Sequence, residues 1–154
     1  MSAHVGVYTV AKADFVSQGA GAYAAGNVIG SAQQLVGVSD FGGRIIKLDQ
    51  IFVRDAAAQK KGFRLCFFDP NPPAVADNAA FAFGATLPNL IGLIDMSDGD
   101  FANVDTAAVI SQPLLLKMKP STPNVYVVCI CKPDSGAPTY GVGGKLSFDF
   151  HFSY

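Results

Sequence analysis

The sequence predicts an all-β protein, an antiparallel β-sandwich of jelly-roll type with about eight strands. The prediction rests on the recurrence of short β-rich runs between Gly- and Pro-bearing turns, on a final stretch that alternates apolar and polar residues, and on the lack of sustained helical periodicity. At 154 residues the chain is expected to form one domain over residues 1–154, with residues 1–20 as an extended N-terminal arm. A domain of that length buries about two-thirds of its unfolded surface and needs no metal or disulfide to fold.

Taken in order, residues 5–10 are a short strand that puts Val5 and Val7 on one face and Tyr8 and Val10 on the other. Residues 28–29 and 33–36 give two further short candidates. The runs 44–54 (RIIKLDQIFVR) and 62–68 (GFRLCFF) are β-rich, and the DAAAQKK between them is too short for a stable helix, so a hairpin with a loose loop is predicted. Residues 91–96 form the next strand. Residues 112–119 stop at Pro120, and residues 124–132 (NVYVVCICK) are apolar on both faces between Pro123 and Pro133. That pattern belongs to a central strand buried from both sides, and the turn 120–123 is predicted to pair the two runs. In the last strand Leu146, Phe148, Phe150, Phe152 and Tyr154 alternate with Lys145, Ser147, Asp149, His151 and Ser153. One face is therefore apolar and the other wet. A helical turn each is expected within 77–83 and 100–108.

Half of the residues are hydrophobic and only 15% are charged, against roughly 25% in an average soluble protein. The net charge of -1 leaves little repulsion between copies, which suits a subunit packed against neighbours. It argues against nucleic acid, which is bound chiefly by clustered Lys and Arg. The cationic cluster of Lys60, Lys61 and Arg64 reads as an exposed turn. No apolar run approaches the roughly 18 residues of a membrane span. No basic start precedes an apolar segment, so synthesis in the cytosol without a secretory segment is expected.

The inventory for catalysis is thin. His4 lies in the N-terminal stretch and His151 on the wet face of the last strand, too few for a cupin-like metal site. Cys129 and Cys131 would point the same way in a strand, but no second pair completes a zinc site, so they and Cys66 are expected to be buried apolar residues. Residues 95–100 (DMSDGD) gather carboxylates without EF-hand spacing, and read as an acidic turn rather than a calcium site. The GVGGK at 141–145 lacks the Walker spacing and reads as the entry to a strand. No Gly-x-Ser-x-Gly elbow occurs. A non-enzyme with no catalytic residue, metal or cofactor is expected.

Residues 22–30 (AYAAGNVIG) resemble the opening of a family of small phage and prophage head proteins, which carry an Ala-Tyr-Ala-Ala-Gly-Asp-Val-Ile-Gly-like run. Further matches follow in the same order: a long strand ending in Asp55, the run LCFFDP at 65–70, DNAAF at 77–81, Leu90-Ile91-Gly92, a strand bearing Tyr126, Pro138-Thr139-Tyr140, and the alternating last strand. Asn27 stands where Asp is common, and residues 31–34 depart from the pattern. The resemblance implies a virion structural protein made in the host cytoplasm, and specifically a capsid cement or decoration protein. It would sit on the outer capsid surface as a homodimer or homotrimer, with the major capsid protein as its partner.

Two contact regions are expected. One is residues 2–10, where Val5, Val7, Tyr8 and Val10 could extend a neighbour's sheet edge. The other is residues 95–109, where Phe101 and Val104 sit among small and acidic residues. Either could instead serve only its own fold. A carbohydrate-binding module, as in a tail or receptor-binding component, is one rival, weakened by the absence of Trp although five tyrosines are present. A metal-dependent jelly-roll enzyme is the other, weakened by the shortage of His.

Overall fold

The computed structural model describes residues 7–19 and 21–154. Nine strands follow one another as β1 (Tyr8–Val16), β2 (Gln33–Leu35), β3 (Ile46–Asp55), β4 (Phe63–Phe68), β5 (Leu90–Met96), β6 (Ala102–Val104), β7 (Ala107–Met118), β8 (Val125–Cys131) and β9 (Lys145–Ser153). They form a five-stranded sheet in the order β1-β9-β3-β7-β6 and a four-stranded sheet in the order β2-β8-β4-β5. All pairings are antiparallel.

The order is that of a jelly roll. First pairs with last (β1 with β9), then β2 with β8, β3 with β7 and β4 with β5, so the chain behaves as one long ribbon folded back on itself and wrapped into two sheets. The extra strand β6 adds a short hairpin to β7. The two inner faces meet in one core, in which Phe15, Phe63, Phe148, Phe150 and Phe152 are fully or almost fully buried. Phe148 packs edge-on against Phe15 and Phe63 and stacks on Phe150. Such contacts add to the burial of large rings that dominates sandwich stability.

The alternating last strand and the two-sided strand both form as the sequence predicts. In β9 every second residue is buried. In β8 Val125, Val127, Cys129 and Cys131 face the main core, while Val128 and Ile130 face a second cluster with Val28, Cys66 and Phe68. The roof over that second cluster consists of loop residues, including Ala32, Val75, Phe81 and Phe83. Asp77 ties it down, accepting hydrogen bonds from the backbone N–H of Gln18 (2.8 Å) and Gly30 (2.7 Å) and from the Tyr23 hydroxyl (2.7 Å). Gly30, at φ +69° and with its missing Cβ facing the Phe15–Val16 backbone at 2.7 Å, permits that close approach.

Several expectations need correction. β3 and β4 do not form a hairpin, nor do β7 and β8, because the members of each pair lie in different sheets. The 56–62 and 119–124 connections cross the sandwich instead. Asp55 is buried and accepts the backbone N–H of Ala57 (3.1 Å) and Lys60 (3.0 Å), with Ala58 and Lys60 at positive φ, which turns the chain out of the sheet. β1 runs to Val16, well past the expected end, because pairing with β9 overrides the weak strand preference of Ala, Lys and Asp. From Tyr8 onward the expected arm is thus an edge strand. Residues 28–29 contribute an isolated bridge from Val28 to Ile130. The helical turns fall at Gly84–Asn89 and Asp98–Asp100 as 3-10 turns, while 77–83 is a loop and 102–104 a strand.

Candidate interaction surface

Tyr8 and Val10 lie at one end of β1 with Val7 just before it, and among the described residues β1 pairs with β9 alone, which leaves its other edge unpaired there. Val7 exchanges backbone hydrogen bonds with Tyr154. Tyr8 is 77% exposed and Val10 51%. Val5 lies outside the described residues. Val104 is on β6, at the other edge of the same sheet and toward the opposite end of the sandwich, and is 53% exposed. Phe101 is half-buried and packs edge-on against Phe63 (6.2 Å), so much of its surface serves the chain's own core. The two regions therefore occupy diagonally opposite corners. Four strand spacings separate β1 from β6, roughly 20 Å, so one copy cannot bring them together.

Between them lies the outer face of the five-stranded sheet, which no loop among the described residues roofs. Cross-strand register divides it in two. In the half toward the 56–62 connection, Lys12 and Arg54 both reach Asp149 (3.0 and 2.8 Å) and Lys145 reaches Asp14 (3.2 Å). The hydrogen bond from Arg54, then that from Lys12, holds Asp149 below the usual carboxylate range, and the Ser147 hydroxyl with Lys145 does the same for Asp14. Charge on this half is closed on itself.

The other half differs. Tyr8, Ser153, Lys47 and Lys117 form one cross-strand row, with Val10, His151, Gln50 and Pro113 in the next. A bulge at Asp49 separates the rows, and Leu115 beside it is 79% exposed. Lys47 stands directly opposite Lys117, a like-charge pairing that disfavours the isolated sheet. Among the described residues no ion pair involves Lys47, Lys117 or Asp49. Sequence reasoning missed this patch because residues 70 apart in the chain meet only through the register.

The groups that suggested chemistry are engaged elsewhere. Asp95 binds Arg64 (2.7 Å) and Lys132 (2.6 Å), which lower its pKa to about 2. Asp98 accepts the N–H of Gly62 (2.5 Å) and Asp134 (3.2 Å) and pairs with Lys61 (3.3 Å), and Asp100 caps the turn at Ser97 N–H (2.7 Å). These contacts make 95–100 an internally satisfied acidic turn. Among the described residues no three His, Cys, Asp or Glu side chains come together to hold a metal. All three thiols are buried, and burial pushes Cys66 and Cys131 up to about 11 and Cys129 well above its ordinary value, away from the thiolate a nucleophile needs. Burial likewise lifts Tyr23 to about 12. A cleft of about 160 Å³ lies between Ser31-Ala32 and residues 71–75, lined mainly by small and apolar side chains. No helix is long and apolar enough to cross a membrane among the described residues.

No family model matches the chain, and no curated protein matches it. Among solved structures it is similar to a chain of the empty head of turnip yellow mosaic virus, at 10% identity over 99% of this chain and 82% of that chain, with a TM-score of 0.29.

Proposed function

We propose that this chain is a virion structural protein, a capsid cement or decoration protein that binds the outer surface of a phage capsid and stabilises contacts between major capsid subunits. The observation that carries the reading is the corner of the five-stranded sheet where Tyr8, Val10 and Leu115 are exposed on strand backbone, beside an edge that no other described strand pairs with. Large apolar side chains exposed together on a sparsely charged surface are what a protein contact requires, since covering them removes apolar area from water. The resemblance of residues 22–152 to small phage head proteins points to the same setting. A protein that binds the assembled shell but not its free subunits stabilises the shell by mass action, and many copies multiply the gain.

The test mixes purified protein with undecorated capsids. Saturable binding is expected, together with DNA release at a higher temperature than from bare shells. Tyr8→Asp with Val10→Asp should abolish binding while leaving the fold intact. Absence of binding, or binding indifferent to that double substitution, would overturn the reading.

A further inference from the structure

We infer that copies of this chain associate head to tail, the β6–β7 tip of one copy lying on the lysine-bearing half of the outer sheet face of the next. The receiving surface has Lys47 opposite Lys117 with no ion pair among the described residues, flanked by exposed Tyr8, Val10 and Leu115. A partner that fits it must bring carboxylate together with apolar surface.

The chain itself supplies such a partner. Val104 pairs with Ala107, so Asp105 and Thr106 alone make the turn between β6 and β7. Asp105 stands at φ 54°, is exposed and makes no ion pair among the described residues, and Val104 beside it is exposed. Asp100, also exposed, flanks the other end of β6. Charge and apolar surface thus occur in the same combination on both corners with opposite sign. Asp49 at the bulge reduces the positive field without cancelling two lysines, and it lies half-buried rather than at the rim.

The corners lie on opposite edges and toward opposite ends of the sandwich, so they meet only between copies. Such a contact uses two different patches, and repeating it either closes a ring or propagates. A nucleic acid is the less fitting occupant, because two lysines among three large apolar side chains offer few phosphate contacts. This inference goes beyond capsid binding, and because both contacts use the same corner, a second copy seated there competes with the capsid for it.

The experiment is sedimentation of the purified full chain over a range of protein and salt concentrations, without capsids. Concentration-dependent association is expected, weakening as salt rises. Lys117→Glu and Asp105→Lys should each weaken it by about tenfold or more, since like charges then face each other. Mixing the two single variants should restore association, as should combining both substitutions in one chain. Lys47→Glu provides a second receiving-face variant, and unchanged thermal midpoints show that the exposed substitutions leave the fold alone. The inference fails if the wild-type chain stays monomeric up to its solubility limit. It also fails if association ignores both charge reversals, if the mixture does not recover, or if the lysine variants lose affinity for DNA instead of for the chain itself. Capsid binding is read separately, so either proposal can fail without the other.

Discussion

The outer faces of the two sheets are treated in opposite ways. Outside the four-stranded sheet, Cys66, Phe68, Val128 and Ile130 are buried beneath loop residues that include Val75, Phe81 and Phe83. Outside the five-stranded sheet, the corresponding positions are Lys12, Asp149, Arg54, Lys47 and Lys117, and among the described residues no apolar loop layer lies over them. One face has been turned into a second core, and the other carries charged and polar side chains at the surface. The difference shows which surface of a sandwich is available for adhesion, since a roofed face can bind only through its roof.

The largest effect that would test the contrast is loss of an inward ring. Phe148→Ala should cost about 3–5 kcal/mol, as Phe/Trp→Ala changes in cores do, whereas Phe52→Ala on the bare face of the same sheet should cost far less. Chemical denaturation reads both. Similar costs at the two positions would mean that the bare face is covered in the free protein.

Next comes the roof. Asp77→Ala leaves the N–H groups of Gln18 and Gly30 and the Tyr23 hydroxyl without this acceptor; Gln18 is exposed and Tyr23 keeps Ser17, so the main cost is the buried Gly30 N–H, about 1–3 kcal/mol. Hydrogen exchange should quicken over residues 22–32 and 69–89 while β9 stays protected. Uniform loss of protection would show that the roof and the main core are a single cooperative unit.

The pH dependence is smaller and has two signs. Asp95 is held at about 2 by Arg64 and Lys132, below its ordinary 3.8. Its contribution is therefore present above pH 3.8 and lost as pH falls through 2. Solvent screening at this exposed site keeps it within about 1 kcal/mol. Asp55 is raised above 3.8 by burial, so its contribution runs the other way, present below pH 3.8 and lost as pH rises through its folded value. Denaturation of Asp95→Asn across that range should reduce the acid-side loss, leaving the share of Asp14, Asp98 and Asp149, whose carboxyls are also lowered, and the opposite Asp55 component.

The smallest stability effect belongs to the proposed contact residues. Leu115→Ala and Tyr8→Ala should change stability by no more than about 0.5 kcal/mol, because exposed side chains lose little on truncation. A larger loss at Tyr8 would move it from the contact surface into the fold's own support.

The faces were legible from the sequence, and the partners were not. Alternation in 145–154 and the two-sided run 124–132 report how each strand is buried, because a side-chain period of two is a local property of extended backbone. By itself the sequence determined an all-strand sandwich, the buried character of Cys66, Cys129 and Cys131, and the acidic turn at 95–100. Only the tertiary structure decided that β3 and β4 belong to different sheets, that Val28 and Phe81 help to close a second core, and that Lys12 meets Asp149 across 137 residues while Lys47 faces Lys117 with no ion pair among the described residues. The physical reason is that a strand's neighbour is chosen by the wrapping of the whole ribbon. Shifting the register by one residue would turn every side chain to the opposite face, so charge pairing exists only once the fold is complete.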